Sequence, residues 1–181
     1  MNALILVDLQ NDYFPGGRME LVGITEAGQN AAELLAVFRD SNWPTVHIQH
    51  ISARKGATFF LPDTRGVAIH DCIQPHSEEP VIQKFYPNSF RETLLLDELR
   101  QSQVEQVVIC GAMSHMCIDA TTRAAFDLGF KCVVIEDACA TRDLEFGGST
   151  IAARQVHGSF MAALGAAYAE VLSLEEFKSN S

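Results

Sequence analysis

Short aliphatic runs alternate with segments of helical periodicity along most of this chain. Apolar runs predict buried strands at Ala3–Val7, Thr45–Gln49, Val81–Ile82, Gln106–Cys110, Lys131–Ile135 and Ala169–Leu172. Helical spacing predicts helices over Thr25–Asp40, Ser89–Gln101, Cys117–Leu128 and about Ser149–Ala163. Aliphatic strands that alternate with helices are typical of parallel sheets covered on both faces. The pattern therefore predicts an α/β fold, a Rossmann-like three-layer αβα open sheet that is mostly parallel.

Length and charge narrow the class of protein. With 181 residues, 48% of them hydrophobic, the chain suits a single domain spanning residues 1–181. Its 13 Lys and Arg face 23 Asp and Glu, and the formal net charge of −10 would repel a phosphate backbone. We therefore expect no nucleic-acid partner.

The compartment is predicted from what the sequence lacks. No apolar run approaches the ~20 residues of a membrane span, so we expect no membrane partner. The first apolar run stops at Asp8 and has no basic segment before it, which disfavours a secretory signal. Five cysteines without a CxxC pair indicate a reducing environment. We therefore expect a cytoplasmic protein.

Polar residues follow the predicted strands where ligands bind in open α/β sheets, at the carboxyl ends. Asp8 follows the first strand, His50 the second, Lys84 the short third, and Cys117 lies beyond the strand ending at Cys110. The 52–80 stretch lacks clear periodicity, and long loops of this kind are usually binding loops or lids.

Cys117 is the candidate nucleophile because it falls at a predicted helix start, where the helix N-terminus stabilises a thiolate. The alternative is a buried cysteine that fills the first helical turn. Cys110, Cys132 and Cys139 fall in or beside apolar strands and are predicted to be core, while Cys72 lies in the long loop.

Asp8 and Lys84 complete a possible constellation. Taken singly, Asp8 could simply cap the turn that follows the first strand, and Lys84 could be a solvated surface lysine. Together with Cys117 they supply a base, a cation and a nucleophile for acyl transfer. In this hypothesis Lys84 depresses the pKa values of the thiol and the carboxyl group, and the backbone N–H groups of Met113 and Cys117 form an oxyanion hole.

Three segments of the sequence resemble one known family. They are ALILVDLQNDYFPGG at 3–17, KFYPNSF at 84–90 and VICGAMSHMCIDATTRAAFDLGF at 108–130. In this order they are similar to the isochorismatase-like cysteine hydrolases, including nicotinamidases and N-carbamoylsarcosine amidases. The resemblance implies a catalytic triad of Asp8, Lys84 and Cys117, a cis peptide bond between Ala112 and Met113, and a homo-oligomer, either a dimer or a tetramer.

The positions of the histidines indicate whether the protein binds a metal, and this in turn narrows the predicted class of substrate. Nicotinamidases of this family bind a metal through an Asp-x-His pair and further histidines, but here the segment reads VHIQHIS, and His47 and His50 have no acidic neighbour. We therefore expect no metal and no other cofactor, with a weak site near these two histidines left open. Vinyl-ether isochorismatases do not need the cysteine, so Cys117 favours C–N hydrolysis of a small amide, ureido or carbamoyl compound.

The remaining expectations concern the pocket and the competing functions. We expect Phe14, His50, Phe60 and Tyr86 to wall the substrate pocket. The acidic segment at 174–177 is predicted to be a solvated terminus. An isochorismatase-type vinyl-ether hydrolase and a metal-dependent nicotinamidase remain alternatives within the family. A thiol redox protein or a non-catalytic binding module are alternatives from other classes, although no CxxC and no GxGxxG supports them.

Overall fold

The computed structural model describes residues 1–180 and contains a six-stranded parallel sheet. Its strands are β1 (Asn2–Val7), β2 (Thr45–His50), β3 (Val81–Lys84), β4 (Gln106–Ala112), β5 (Lys131–Ala140) and β8 (Glu170–Leu172). Their order across the sheet is β3-β2-β1-β4-β5-β8. All five pairings are parallel, so the predicted α/β sheet and its single-domain architecture are confirmed.

Five α-helices cover the sheet: α1 (Ile24–Asp40), α2 (Leu95–Gln101), α3 (Asp119–Asp127), α4 (Ala153–Gly165) and α5 (Leu174–Asn180). Right-handed crossovers place α1 on one face and α2, α3 and α4 on the other. The helix α5 joins α1, where the rings of Phe38 and Phe177 stack with centroids 6.0 Å apart. Among the helices of residues 1–180, none combines the length and the apolar character that crossing a bilayer requires.

The central strands are buried because both of their faces are covered by helices. Residues 3–7 of β1 and 107–112 of β4 are all buried, which explains their continuous aliphatic sequence. The chain passes from β1 to β2 and β3 on one side and then returns to place β4 on the other side of β1. This reversal of strand order opens a crevice at the carboxyl ends of β1 and β4.

Some boundaries differ from the sequence prediction. An antiparallel hairpin of β6 (Leu144–Phe146) and β7 (Ser149–Ile151) precedes α4, which starts four residues later than predicted. Residues 89–94 form turns and a bend, so α2 is shorter than expected. The expected solvated segment at 174–177 is wrong, because Leu174 and Phe177 are buried against the core. Of the predicted domain, only Ser181 lies outside the described residues.

Candidate active site

Four polar side chains from adjacent strands meet at the carboxyl edge of the sheet. Asp8 directly follows β1, His50 and Lys84 end β2 and β3, and Cys117 lies in a short π-helical turn (Ser114–Ile118) after β4. The side chains of Asp8 and Lys84 have no solvent exposure, and the residue Cys117 is 5% exposed. The structure thus brings the predicted base, cation and nucleophile together below the surface.

The Lys84 ammonium group holds this cluster together. Its Nζ donates to Asp8 Oδ2 at 2.7 Å and to Cys117 Sγ at 3.2 Å, and lies 3.0 Å from His50 Nδ1. A lysine ammonium has three N–H donors, and these three partners use them all. A buried ammonium needs such compensation, so Lys84 is not the solvated surface lysine considered as an alternative.

Asp8 keeps one oxygen uncommitted. While Oδ2 accepts from Lys84, Oδ1 is buried and has no hydrogen-bond partner among residues 1–180. A carboxylate oxygen of Asp8, the Cys117 sulfur and a ring nitrogen of His50 lie within 4.8 Å of one another. A carboxylate with a free lone pair next to a thiol can accept the thiol proton.

Burial sets the protonation states of the cluster. Burial and the Asp8 carboxylate raise the pKa of Cys117 well above its ordinary value, and the Lys84 ammonium offsets only part of this. Burial lowers the pKa of Lys84, but the contacts with Asp8 and Cys117 raise this pKa by more than burial lowers it. The net shift is therefore upward. The free enzyme therefore contains an ammonium group and a neutral thiol, whereas the sequence hypothesis assumed a depressed thiol pKa. Sequence spacing could not reveal how completely the thiol is desolvated.

The backbone after β4 positions the candidate nucleophile, Cys117. Gly111 has φ 126° and packs so closely on Val7 that a Cβ would overlap the Val7 backbone. The Ala112–Met113 peptide bond is cis, and the π-helical turn begins at Ser114. Cys117 therefore lies before α3, which starts at Asp119, rather than in the first turn of that helix as predicted. Both Met113 and Cys117 line the cavity above the cluster.

This cavity has a volume of about 300 Å³ and reaches Cys117 from the surface. Most of its wall is apolar, and the apolar and aromatic residues that line it are Tyr13, Phe59, Phe85, Pro87, Met113 and Met116. The 52–59 segment contributes all of its residues except Lys55, and His50 completes the floor. The volume is at the lower end of the range for sites that bind small molecules.

The aromatic wall was predicted one residue out of place. His50 lines the cavity, but Phe14, Phe60 and Tyr86 do not; their chain neighbours Tyr13, Phe59 and Phe85 do. The reason is local packing in each case. Phe14 stacks on His70 with ring centroids 3.6 Å apart, Phe60 is buried against Tyr13, and the Arg91 guanidinium covers the Tyr86 ring at 3.6 Å.

The sequence gives only a partial signal for these aromatic residues. Adjacent pairs of aromatic or bulky residues mark the correct three places along the chain. Which member of each pair faces the cavity depends on loop conformations that have no periodicity. Met116 carried no signal beyond its position one residue before the nucleophile.

The donor set does not fit a resident divalent metal. Asp8, His50 and Cys117 could offer ligand atoms, but the Lys84 ammonium contacts all three residues and would repel a cation placed among them. His47 does not join His50: its Nε2 contacts Glu79 at 2.9 Å on the other face of β2. The buried His47 imidazole therefore belongs to a structural pair.

Comparisons with known proteins agree with this geometry. The family model for the isochorismatase domain matches residues 2–175. The uncharacterized isochorismatase family protein YddQ of Bacillus subtilis is 49% identical, covering 97% of both chains. A streptothricin hydrolase of Streptomyces noursei is 33% identical over 80% of this chain and 51% of its own length, and a maleamate amidohydrolase of Pseudomonas putida is 27% identical over 77% and 72%.

A solved structure extends the agreement to the fold. The crystal structure of an isochorismatase hydrolase from Oleispira antarctica superposes with a TM-score of 0.94 and is 49% identical, covering 97% of this chain and 95% of that one. Fold, site geometry and sequence thus lead to the same assignment: the chain belongs to the isochorismatase family of hydrolases.

Proposed function

We propose that the protein hydrolyses a C–N bond of a small amide, ureido or carbamoyl compound through a covalent acyl-enzyme on Cys117. One observation carries the proposal: Lys84 links the Asp8 carboxylate and the Cys117 thiol directly, at the floor of a cavity of small-molecule size. The similarity to a streptothricin hydrolase and to a maleamate amidohydrolase supports C–N chemistry.

The first half-reaction begins with the neutral thiol. As the sulfur attacks the substrate carbonyl carbon, the thiol proton passes to Asp8 Oδ1, the oxygen without a partner. Because Lys84 remains an ammonium group, it stabilises the sulfur while negative charge develops on it. The carbonyl π electrons move to oxygen, and the N–H groups of Met113 and Cys117 are the donors proposed for this oxyanion.

Collapse of this intermediate completes the first half-reaction, and hydrolysis of the resulting thioester then returns the enzyme to its starting state. The oxyanion reforms the carbonyl, the C–N bond breaks, and Asp8 gives its proton to the departing nitrogen, which leaves as ammonia or an amine. Asp8 then takes a proton from a water molecule that attacks the thioester. The C–S bond breaks, the acid product leaves, and Cys117 recovers its proton from Asp8.

The test is ammonia release from a panel of amides, ureas and carbamoyl compounds, with and without chelator. We expect Cys117→Ala to lower kcat/KM by at least ~10³-fold for every accepted substrate, because no other group can form the thioester. Cys72→Ser is the matched control, since Cys72 lies in the 52–80 loop and outside the cavity.

Two further readouts make the test decisive. The mass of the wild-type protein during turnover should increase by the acyl group, on the peptide that contains Cys117. The melting temperature of Cys117→Ala should stay near that of the wild type, so that lost activity is not lost folding. Full activity of Cys117→Ala would contradict the covalent mechanism. No ammonia release from any compound by the wild type would contradict C–N hydrolysis and favour vinyl-ether hydrolysis, in which Asp8 acts as an acid without a nucleophile.

A further inference from the structure

We infer that Arg54 is a specificity-determining residue that binds an anionic group, such as a carboxylate, on the substrate. This inference rests on the proposed function and adds to it the class of substrate: a small C–N compound that carries a negative charge away from the bond that is cleaved. The argument comes from the distribution of charge around the cavity.

Arg54 is the one Lys or Arg residue among those that line the cavity leading to Cys117. No Asp or Glu lines this cavity. Within residues 1–180, the Arg54 guanidinium makes no hydrogen bond or ion pair. Arg39 and Arg123, by contrast, pair with the carboxylates of Glu79 and Asp119.

The groups below the cavity do not cancel this charge. The Asp8 carboxylate and the Lys84 ammonium form an ion pair at 2.7 Å that sums to zero. Burial lowers the pKa of His50 and raises that of Tyr13, and the Cys117 thiol is neutral for the reason given above. The cavity therefore carries a formal charge of about +1 from Arg54 in a molecule whose net charge is −10.

The backbone that carries Arg54 is anchored at both ends. Ser52 N–H donates to Phe60 O at 2.9 Å, and Phe60 N–H donates to the Asp12 carboxylate at 2.6 Å. Within this segment, Ala57 N–H closes a turn on Arg54 O at 3.1 Å. Arg54 is exposed, so its guanidinium extends from this hydrogen-bonded turn at the solvent side of the cavity wall, and a planar guanidinium is suited to carboxylate groups.

The other residues of the wall limit the rest of the ligand. Phe59, Phe85 and Met116 give the same cavity apolar surface beside Arg54 and Cys117. A ligand that satisfies both regions has a C–N group at Cys117, a short apolar or unsaturated body, and an anion near the mouth. A half-amide of a dicarboxylic acid has this chemistry.

The test compares alkylation of Cys117 by iodoacetate and by iodoacetamide, which react with a thiol in the same way but differ in charge. The variants are Arg54→Gln and Arg54→Glu, and the matched control is Lys55→Glu, a charge reversal in the same turn at a residue outside the cavity wall. Mass spectrometry of the peptide that contains Cys117 gives the two rates separately from those of other cysteines.

We expect the ratio of the iodoacetate rate to the iodoacetamide rate to fall about tenfold in Arg54→Glu and less in Arg54→Gln. Lys55→Glu should leave this ratio within about twofold of the wild type, and added salt should reduce the difference between wild type and Arg54→Glu. Equal ratios in all four proteins, or no iodoacetate reaction with wild-type Cys117 while iodoacetamide reacts, would overturn the inference.

A substrate comparison separates this inference from the proposed function. Half-amides of dicarboxylic acids and their methyl esters should differ in kcat/KM in the wild type, and Arg54→Glu should remove the preference for the acid. If both compounds are hydrolysed equally by all variants, Arg54 has no such role although the amidohydrolase proposal stands. If no amide is hydrolysed but the alkylation ratio depends on Arg54, the anion site stands and the proposed reaction fails.

Discussion

Lys84 shows at the scale of one residue how a buried charge is tolerated and used. Its ammonium group has no exposure, and desolvating an isolated charge costs several kcal/mol or more. The Asp8 carboxylate, the His50 ring nitrogen and the Cys117 sulfur replace the lost water around Nζ. The same three contacts fix Asp8 and Cys117, the proposed base and nucleophile, relative to each other, so the buried lysine also organises the proposed chemistry.

Lys84→Met should slow alkylation of Cys117 by iodoacetamide at pH 8 by about tenfold or more. The ammonium group is what lowers the pKa of this thiol, so its removal raises that pKa further and reduces the reactive thiolate fraction. The rate measured across pH should shift toward higher pH. Lys131→Met, which removes an exposed lysine at the start of β5, should leave the profile unchanged.

The same variant tests stability. Without Lys84 the buried Asp8 carboxylate loses its partner, which costs roughly 3–5 kcal/mol of unfolding free energy in comparable pairs. An unaltered alkylation profile in folded Lys84→Met would remove Lys84 from its assigned role, whatever the melting temperature. The double variant Asp8→Asn with Lys84→Met should recover part of the stability and none of the activity.

At the scale of elements, the 52–80 loop is held in place by Asp12. Its carboxylate accepts Phe60 N–H at 2.6 Å and Arg18 N–H at 3.2 Å. The backbone at Gly66 packs against the same carboxylate, and a Cβ on Gly66 would overlap it. Asp12 therefore connects the loop at Phe60 and at Gly66 to the turn after β1, and glycine at position 66 leaves room for this carboxylate.

Gly66→Ala should destabilise the protein by about 1–3 kcal/mol, because the new methyl group displaces the Asp12 carboxylate from its N–H partners. Gly158→Ala is the matched control: Gly158 is exposed in α4 with open space around its Cα, so alanine should stabilise by roughly 0.5–1 kcal/mol. Thermal and denaturant unfolding measure both. A Gly66→Ala protein as stable and as active as the wild type would show that the loop is not held through this contact.

The elements also show which parts of the fold are predictable. Strands β1 and β4 are predictable from their aliphatic runs because both of their faces are buried. The site residues at their ends are predictable because ligands bind at the carboxyl ends of the strands in open α/β sheets. The hairpin of β6 and β7 was missed because its residues are half-buried or exposed and leave no apolar alternation. The cavity wall was predicted one residue out of place because a loop without periodicity carries no record of which side chain faces inward.

At the scale of the whole molecule, the hairpin of β6 and β7 presents an exposed aromatic side chain. The hairpin of β6 and β7 is not part of the six-stranded sheet, and Phe146 at the end of β6 is 79% exposed. Two-stranded hairpins are marginally stable in water unless they pack on another surface. We propose that a second copy of the chain covers this hairpin, in agreement with the homo-oligomer that the family resemblance implies.

Sedimentation equilibrium tests the oligomer directly. We expect the wild type at a multiple of its 19.9 kDa chain mass and Phe146→Ser at a smaller mass or with weaker association. Leu94→Ser changes a side chain of similar exposure, 71%, outside the hairpin and should leave the mass unchanged. A wild-type mass of one chain would contradict the proposed oligomer, and an unchanged mass in Phe146→Ser would exclude the hairpin as the contact.

The distance along the chain between the site residues has a consequence for the newly made protein. Asp8 and Lys84 are 76 residues apart, and Lys84 and Cys117 are 33 apart, so the cluster forms only when β4 has joined β1. Until then Cys117 is an ordinary thiol with neither the Asp8 carboxylate nor the Lys84 ammonium group beside it. A chain that is still being synthesised, or that has assembled wrongly, therefore lacks the proposed catalytic cluster, and on the proposed mechanism activity appears only after β4 has joined β1.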